Sequence, residues 1–121
     1  MDRLPIASGS FYLGNKEQLE TALKTLTDGS QEEQKALGAI SPHAGYVYSG
    51  PVMGRVFSRI KVPETVVILA PNHTGSGTPY SIWPDGNWRT PIGDTQIDEE
   101  LVNEILDSCE LIKKDKVAHL N

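Results

Sequence analysis

Apolar positions recur along the chain in two rhythms, one helical and one extended. Leu19, Ala22, Leu23 and Leu26 fall on one face of a 3.6-residue repeat, which predicts a first helix. Asn15 is placed as its N-cap, Gln18 three positions on as the capping-box partner, and Gly29 to end it. Val52, Val56 and Ile60, with Met53 and Phe57 beside them, predict a second helix with a wide apolar face suited to a sheet. Ser49-Gly50-Pro51 reads as its entry, with proline in the first turn, and Pro63 and Glu64 close it. Asp98 caps a third helix carrying Leu101, Val102, Ile105 and Leu106, and a last apolar pair follows at Leu111 and Ile112.

The extended rhythm is shorter. Residues 37–40 are a brief apolar run ending before Pro42, which forces Ser41 out of helical conformation. Residues 65–70, Thr-Val-Val-Ile-Leu-Ala, are β-branched and apolar on both alternations, the signature of a central strand covered on both faces. Residues 80–83 and 88–90 read as a hairpin joined by Pro84-Asp85-Gly86-Asn87. The opening through Gly14 is turn-rich, with Phe11 and Tyr12 as aromatic anchors over the domain edge. The polar stretch at 30–35 is too short for a domain linker.

Strand, helix, strand over residues 37–70 is the layout of a βαβ unit. Its two strand ends run into Ser41-Pro42-His43-Ala44-Gly45-Tyr46 and Ala70-Pro71-Asn72-His73-Thr74-Gly75. Residues past the carboxyl ends of parallel neighbouring strands emerge on one edge of the sheet, where open α/β sheets bind ligands. Each histidine alone reads as an ordinary loop residue; together they predict a shared metal ion. Neutral imidazole suits Fe, Cu, Zn and Ni. Asp85, Asp94, Asp98 and Asp115 are carboxylates within reach of a sequence argument, but no spacing recommends any of them as a third ligand.

At 121 residues the chain supplies one domain at most. With 38% hydrophobic and 22% charged residues it reads as globular, and a net charge of -5 argues against broad capture of nucleic acid or anionic membrane. The longest apolar run is far shorter than the ~20 residues that span a bilayer. A single cysteine, Cys109, excludes an internal disulfide and reads as a buried, unreactive thiol. The N-terminus lacks a secretory apolar core, so the expected location is cytoplasmic. Three helices and three to five short strands are few for a sheet covered on both faces, which predicts a chain continuing past Asn121.

Three motifs in order now point to one family. Ile40-Ser41-Pro42-His43-Ala44-Gly45-Tyr46-Val47-Tyr48-Ser49-Gly50-Pro51, Val67-Ile68-Leu69-Ala70-Pro71-Asn72-His73-Thr74-Gly75 and Trp88-Arg89-Thr90-Pro91-Ile92-Gly93 closely resemble the Memo family, also called AmmeMemoRadiSam system protein B. Ala7-Ser8-Gly9-Ser10-Phe11-Tyr12 resembles its opening, so the likeness covers essentially the whole chain. Leu13 stands where many relatives have proline, and Ala70 where many have glycine.

The resemblance implies an α/β fold, a central and largely parallel sheet flanked by helices, of which residues 1–121 form the N-terminal part. It implies kinship with the LigB-type class III extradiol dioxygenases, non-haem iron enzymes that hold Fe(II) with two histidines and a carboxylate. His43 and His73 match the two histidine ligand positions, Fe(II) is the expected metal, and Cu or Zn are the alternatives. The family's further aspartate, histidine and cysteine belong to a C-terminal half that this sequence does not include. An oligomer, or a small-molecule or peptide ligand, is compatible with the same fold.

His119 reads first as a solvent-exposed residue, and as an acid or base if it shares the pocket. Tyr46 and Tyr48 read equally as pocket lining or packing. A different class of function rests on Ser49-Gly50 at a helix start and on the Gly75-Ser76-Gly77 loop. Backbone N–H groups there would hold an anion, making the chain a non-catalytic phosphate- or phosphopeptide-binding adaptor.

Overall fold

Asn15 starts the first helix as its composition dictates: the side-chain oxygen accepts from the Gln18 N–H at 3.0 Å, and α1 runs Lys16–Leu26. The helix stops at Thr27 rather than at Gly29. Thr27 is extended, and both its N–H, at 2.9 Å, and its hydroxyl, at 2.8 Å, donate to the Leu23 carbonyl, which satisfies the end without a left-handed glycine. The computed structural model describes residues 1–120. They fall into two compact units, Ala7–Val66 and Met1–Ile6 with the chain from Val67 onward.

In the first unit α1 packs on α2 (Tyr46–Phe57). Helix α2 begins five residues before the expected Pro51, which lies inside it. Its buried face is Ser49, Gly50 and Gly54, while Val52 and Phe57, expected to face a sheet, are exposed. The reason is steric. Gly50, Gly54 and Ser58 stand four residues apart on one face, and their small side chains let Leu26 approach the α2 backbone. A Cβ on Gly50 would lie 3.1 Å from the Leu26 side chain, and one on Gly54 would run into the Leu26 carbonyl. Ser58 clamps the pair, donating its hydroxyl to the Gly54 carbonyl at 2.6 Å and accepting from the Asp28 N–H at 2.7 Å.

The second unit carries the strands: β1 (Ser81–Ile82), β2 (Asn87–Thr90), β3 (Gly93–Gln96), α3 (Glu99–Ser108) and β4 (Lys113–Lys114), followed by a 3-10 turn at Val117–His119. Strand β1 pairs parallel with β4, Ser81 opposite Lys113. The hairpin joins β2 to β3, Trp88 opposite Thr95 and Arg89 opposite Asp94, rather than 80–83 to 88–90. Two residues explain the shift. The Thr90 hydroxyl donates to the Gly93 carbonyl at 2.6 Å and accepts from the Ile92 N–H, closing the turn there, while Trp83 turns inward and is 2% exposed. Asp98 caps α3 as expected, its carboxylate accepting from the Leu101 N–H at 3.0 Å. Cys109 is the C-cap of α3 and is half-buried rather than fully enclosed.

The chain is of the α/β class, with three helices and a small parallel pair. Two segments expected as strands, residues 37–40 and the central strand at 65–70, however, make no ladder among the described residues. Ile40 is 96% exposed and Leu69 91% exposed. A strand apolar on both faces needs neighbours at both edges and a layer on each face, and no described strand pairs with either segment.

Candidate functional site

The loop carrying His73 is built around the preceding residue. The side-chain oxygen of Asn72 accepts from the Thr74 N–H at 3.1 Å, the Thr74 hydroxyl at 3.2 Å and the Gly75 N–H at 3.0 Å. Its amide nitrogen donates to the Ser76 carbonyl at 2.8 Å. Asparagine suits this because its carboxamide mimics a backbone turn. Gly75 and Gly77 take positive φ, 70° and 77°, which lets the chain double back. His73 is the second residue of this knot, and it is exposed.

His43 stands two residues before Gly45, the N-cap of α2, and is exposed. The start of that helix is fixed from two sides. The Tyr46 N–H donates to the Phe11 carbonyl at 2.8 Å, and the Ser49 hydroxyl donates to the Ala44 carbonyl at 2.7 Å. Tyr46 lies against Tyr12 with ring centroids 5.6 Å apart, and burial, helped by Tyr12, pushes its phenol pKa up. Packing is its role; Tyr48 is exposed.

His43 thus belongs to the first unit and His73 to the second. Among the described residues no three His, Cys, Asp or Glu side chains gather closely enough to hold a metal ion. The carboxylates have structural work instead. Asp85 accepts from Lys116 at 2.6 Å, Asp94 pairs with Arg89 at 3.4 Å, and Asp98 caps α3. Asp115 accepts from the Thr78 N–H at 2.6 Å and the Val117 N–H at 2.8 Å, and these bonds hold its pKa below the usual carboxylate value.

His119 is not the solvent-exposed residue that its sequence position suggested. It is half-buried, its Nε2 lies 3.2 Å from the Ser81 hydroxyl, and its ring meets Trp83 edge-on at 6.0 Å. Arg3 donates to its carbonyl at 3.3 Å. Burial first, then the Arg3 charge, lowers the imidazole pKa from 6.5, against the opposing pull of Asp115 and the bond to Ser81. The folded chain therefore resists a proton that the unfolded chain takes up. The stability this contributes is present above about pH 6.5 and is lost as pH falls from 6.5 through the lowered folded value. A urea-unfolding series between about pH 7 and 5 checks this: wild type should lose more stability on acidification than His119→Gln.

The anion-binding reading loses its helix-start support, and two of the three loop N–H groups it named, those of Gly75 and Ser76, are already bonded. Ser49 lies within α2, with its N–H donating to the Gly45 carbonyl at 3.0 Å, so Ser49-Gly50 is no helix start. In the glycine loop, the N–H groups of Gly75, Ser76 and Thr78 are spent on Asn72, Thr74 and Asp115. Sequence reasoning missed Asn72 and Ser81. Asn followed at two and three residues by Thr and Gly is a recognisable turn signal, whereas nothing local links Ser81 to His119.

A family model described as Memo-like protein matches residues 3–121. The chain belongs to the Memo family. Similar curated proteins, each named MEMO1 family protein, come from Sulfurisphaera tokodaii at 38% identity, Thermotoga neapolitana at 39% and Thermococcus onnurineus at 40%. The alignments take in 99%, 99% and 98% of this chain but 48%, 49% and 43% of those proteins. This Memo-family chain thus spans about half the length of the curated relatives it matches. No described helix is long and apolar enough to cross a membrane.

Proposed function

We propose that this Memo-family chain supplies His43 and His73 to a mononuclear metal centre related to that of the non-haem iron extradiol dioxygenases. The observation that carries this is the loop pair: two exposed imidazoles, each following an apolar run and each in a segment fixed by its own hydrogen bonds. Two neutral imidazoles fit part of a two-histidine, one-carboxylate donor set, and Fe(II) is the first expectation, with Cu or Zn behind it. The relatives are about twice as long, which leaves room for the carboxylate outside the described residues.

When bound, such a metal offers open positions where a small organic ligand and O₂ meet. The chain's own contribution is to orient the two imidazoles. His119, half-buried with its Nε2 3.2 Å from the Ser81 hydroxyl, would serve as an acid or base only if it shares that pocket. Elemental analysis of the full-length protein tests the proposal. Wild type is expected to hold close to one metal per chain after anaerobic Fe(II) loading, and His43→Ala and His73→Ala to lose most of it. Unchanged metal in both variants would rule the centre out.

A further inference from the structure

The geometry points to Asn72 as a positioning residue that sets the presentation of His73 to its metal, an inference that rests on the metal-centre reading above. His73 is exposed and sits one residue after Asn72 in a loop that Pro71 enters without an N–H to donate. The loop's shape comes from one carboxamide, which makes three accepted bonds and one donated bond across residues 74–76. Thr74 extends that network, accepting from the Ser76 N–H at 3.2 Å. Three of the four Asn72 bonds converge on the oxygen, so the acceptor carries the loop and the amide N–H₂ is auxiliary.

The bonds bracket His73 from both sides in sequence, and breaking them frees the backbone that carries the ligand. Freed backbone must be ordered again when metal binds, and that cost appears as lost affinity. Residues that orient a metal ligand typically change metal affinity roughly 10- to 100-fold when removed. Asn72 is exposed and touches no core residue through these bonds, so its removal should leave global stability nearly unchanged.

The test is a Co(II) titration of the full-length protein, read by visible absorbance and by metal content after gel filtration. The proteins compared are wild type, Asn72→Ala, Asn72→Asp and His73→Ala, with thermal unfolding measured on each. Asn72→Ala is expected to bind Co(II) roughly 10- to 100-fold more weakly with an unaltered melting temperature. Asn72→Asp, which keeps the acceptor oxygen, should bind within a few-fold of wild type. If His73→Ala loses the metal while Asn72→Ala binds like wild type, the positioning role is overturned and the metal centre survives. Equal weakening in Asn72→Ala and Asn72→Asp overturns the role of the acceptor. Undiminished binding by His73→Ala overturns the placement of His73 in the centre itself.

Discussion

Replacing Trp83 with alanine is expected to cost about 3–5 kcal/mol, the largest effect of any single substitution in the second unit. Trp83 is the one fully buried large side chain among the described residues. Its indole N–H donates to the Asp85 carbonyl at 2.7 Å, the His119 ring meets its edge, and the Lys116 ammonium lies 5.1 Å from the ring centroid. Alanine would leave a cavity under β1 and remove the platform on which Lys116 meets Asp85. Guanidinium unfolding followed by far-UV circular dichroism measures the loss. Trp83→Phe should recover most of it, because the apolar volume returns even though the N–H does not. A cost below about 1 kcal/mol for Trp83→Ala would mean that this ring is not the centre of the unit's core.

Gly54→Ala is expected to destabilise the first unit by about 1–3 kcal/mol, in spite of the helix preference for alanine. In an exposed helix interior the same change would stabilise by roughly 1 kcal/mol. Here the added methyl would overlap the Leu26 carbonyl, a backbone atom that moves only if α1 moves with it. Gly29→Ala is the control, since a Cβ there meets nothing and the φ is not left-handed. Thermal unfolding of both variants separates the steric term from propensity: Gly54→Ala should melt lower than wild type and Gly29→Ala should not. Equal melting temperatures would show that the two helices slide apart at no cost.

The N-caps of α1 and α3 were legible in the sequence because they depend on residues a few positions apart. Asn15 with Gln18 and Asp98 with Leu101 form through local bonds that no distant segment can veto. Pairing was less legible. The β2–β3 hairpin won over the expected one because Thr90 and Gly93 close a tighter turn than Pro84-Asp85-Gly86-Asn87 allows with Trp83 directed into the core. The α2 face was misjudged because hydrophobic periodicity finds the larger residues, whereas close helix approach selects the smallest, Gly50 and Gly54. At the candidate site the two histidines stood out by motif. The network that shapes the His73 loop and the tie between His119 and Ser81 needed coordinates, the second because 38 residues separate the partners.

Residues 66–69, Val-Val-Ile-Leu, carry exposed side chains and pair with no strand among the described residues. A short, β-branched, uncharged ribbon of this kind is a template for intermolecular cross-strand association. Handling of the isolated polypeptide is therefore expected to be governed by concentration, with clumping setting in long before the helices melt.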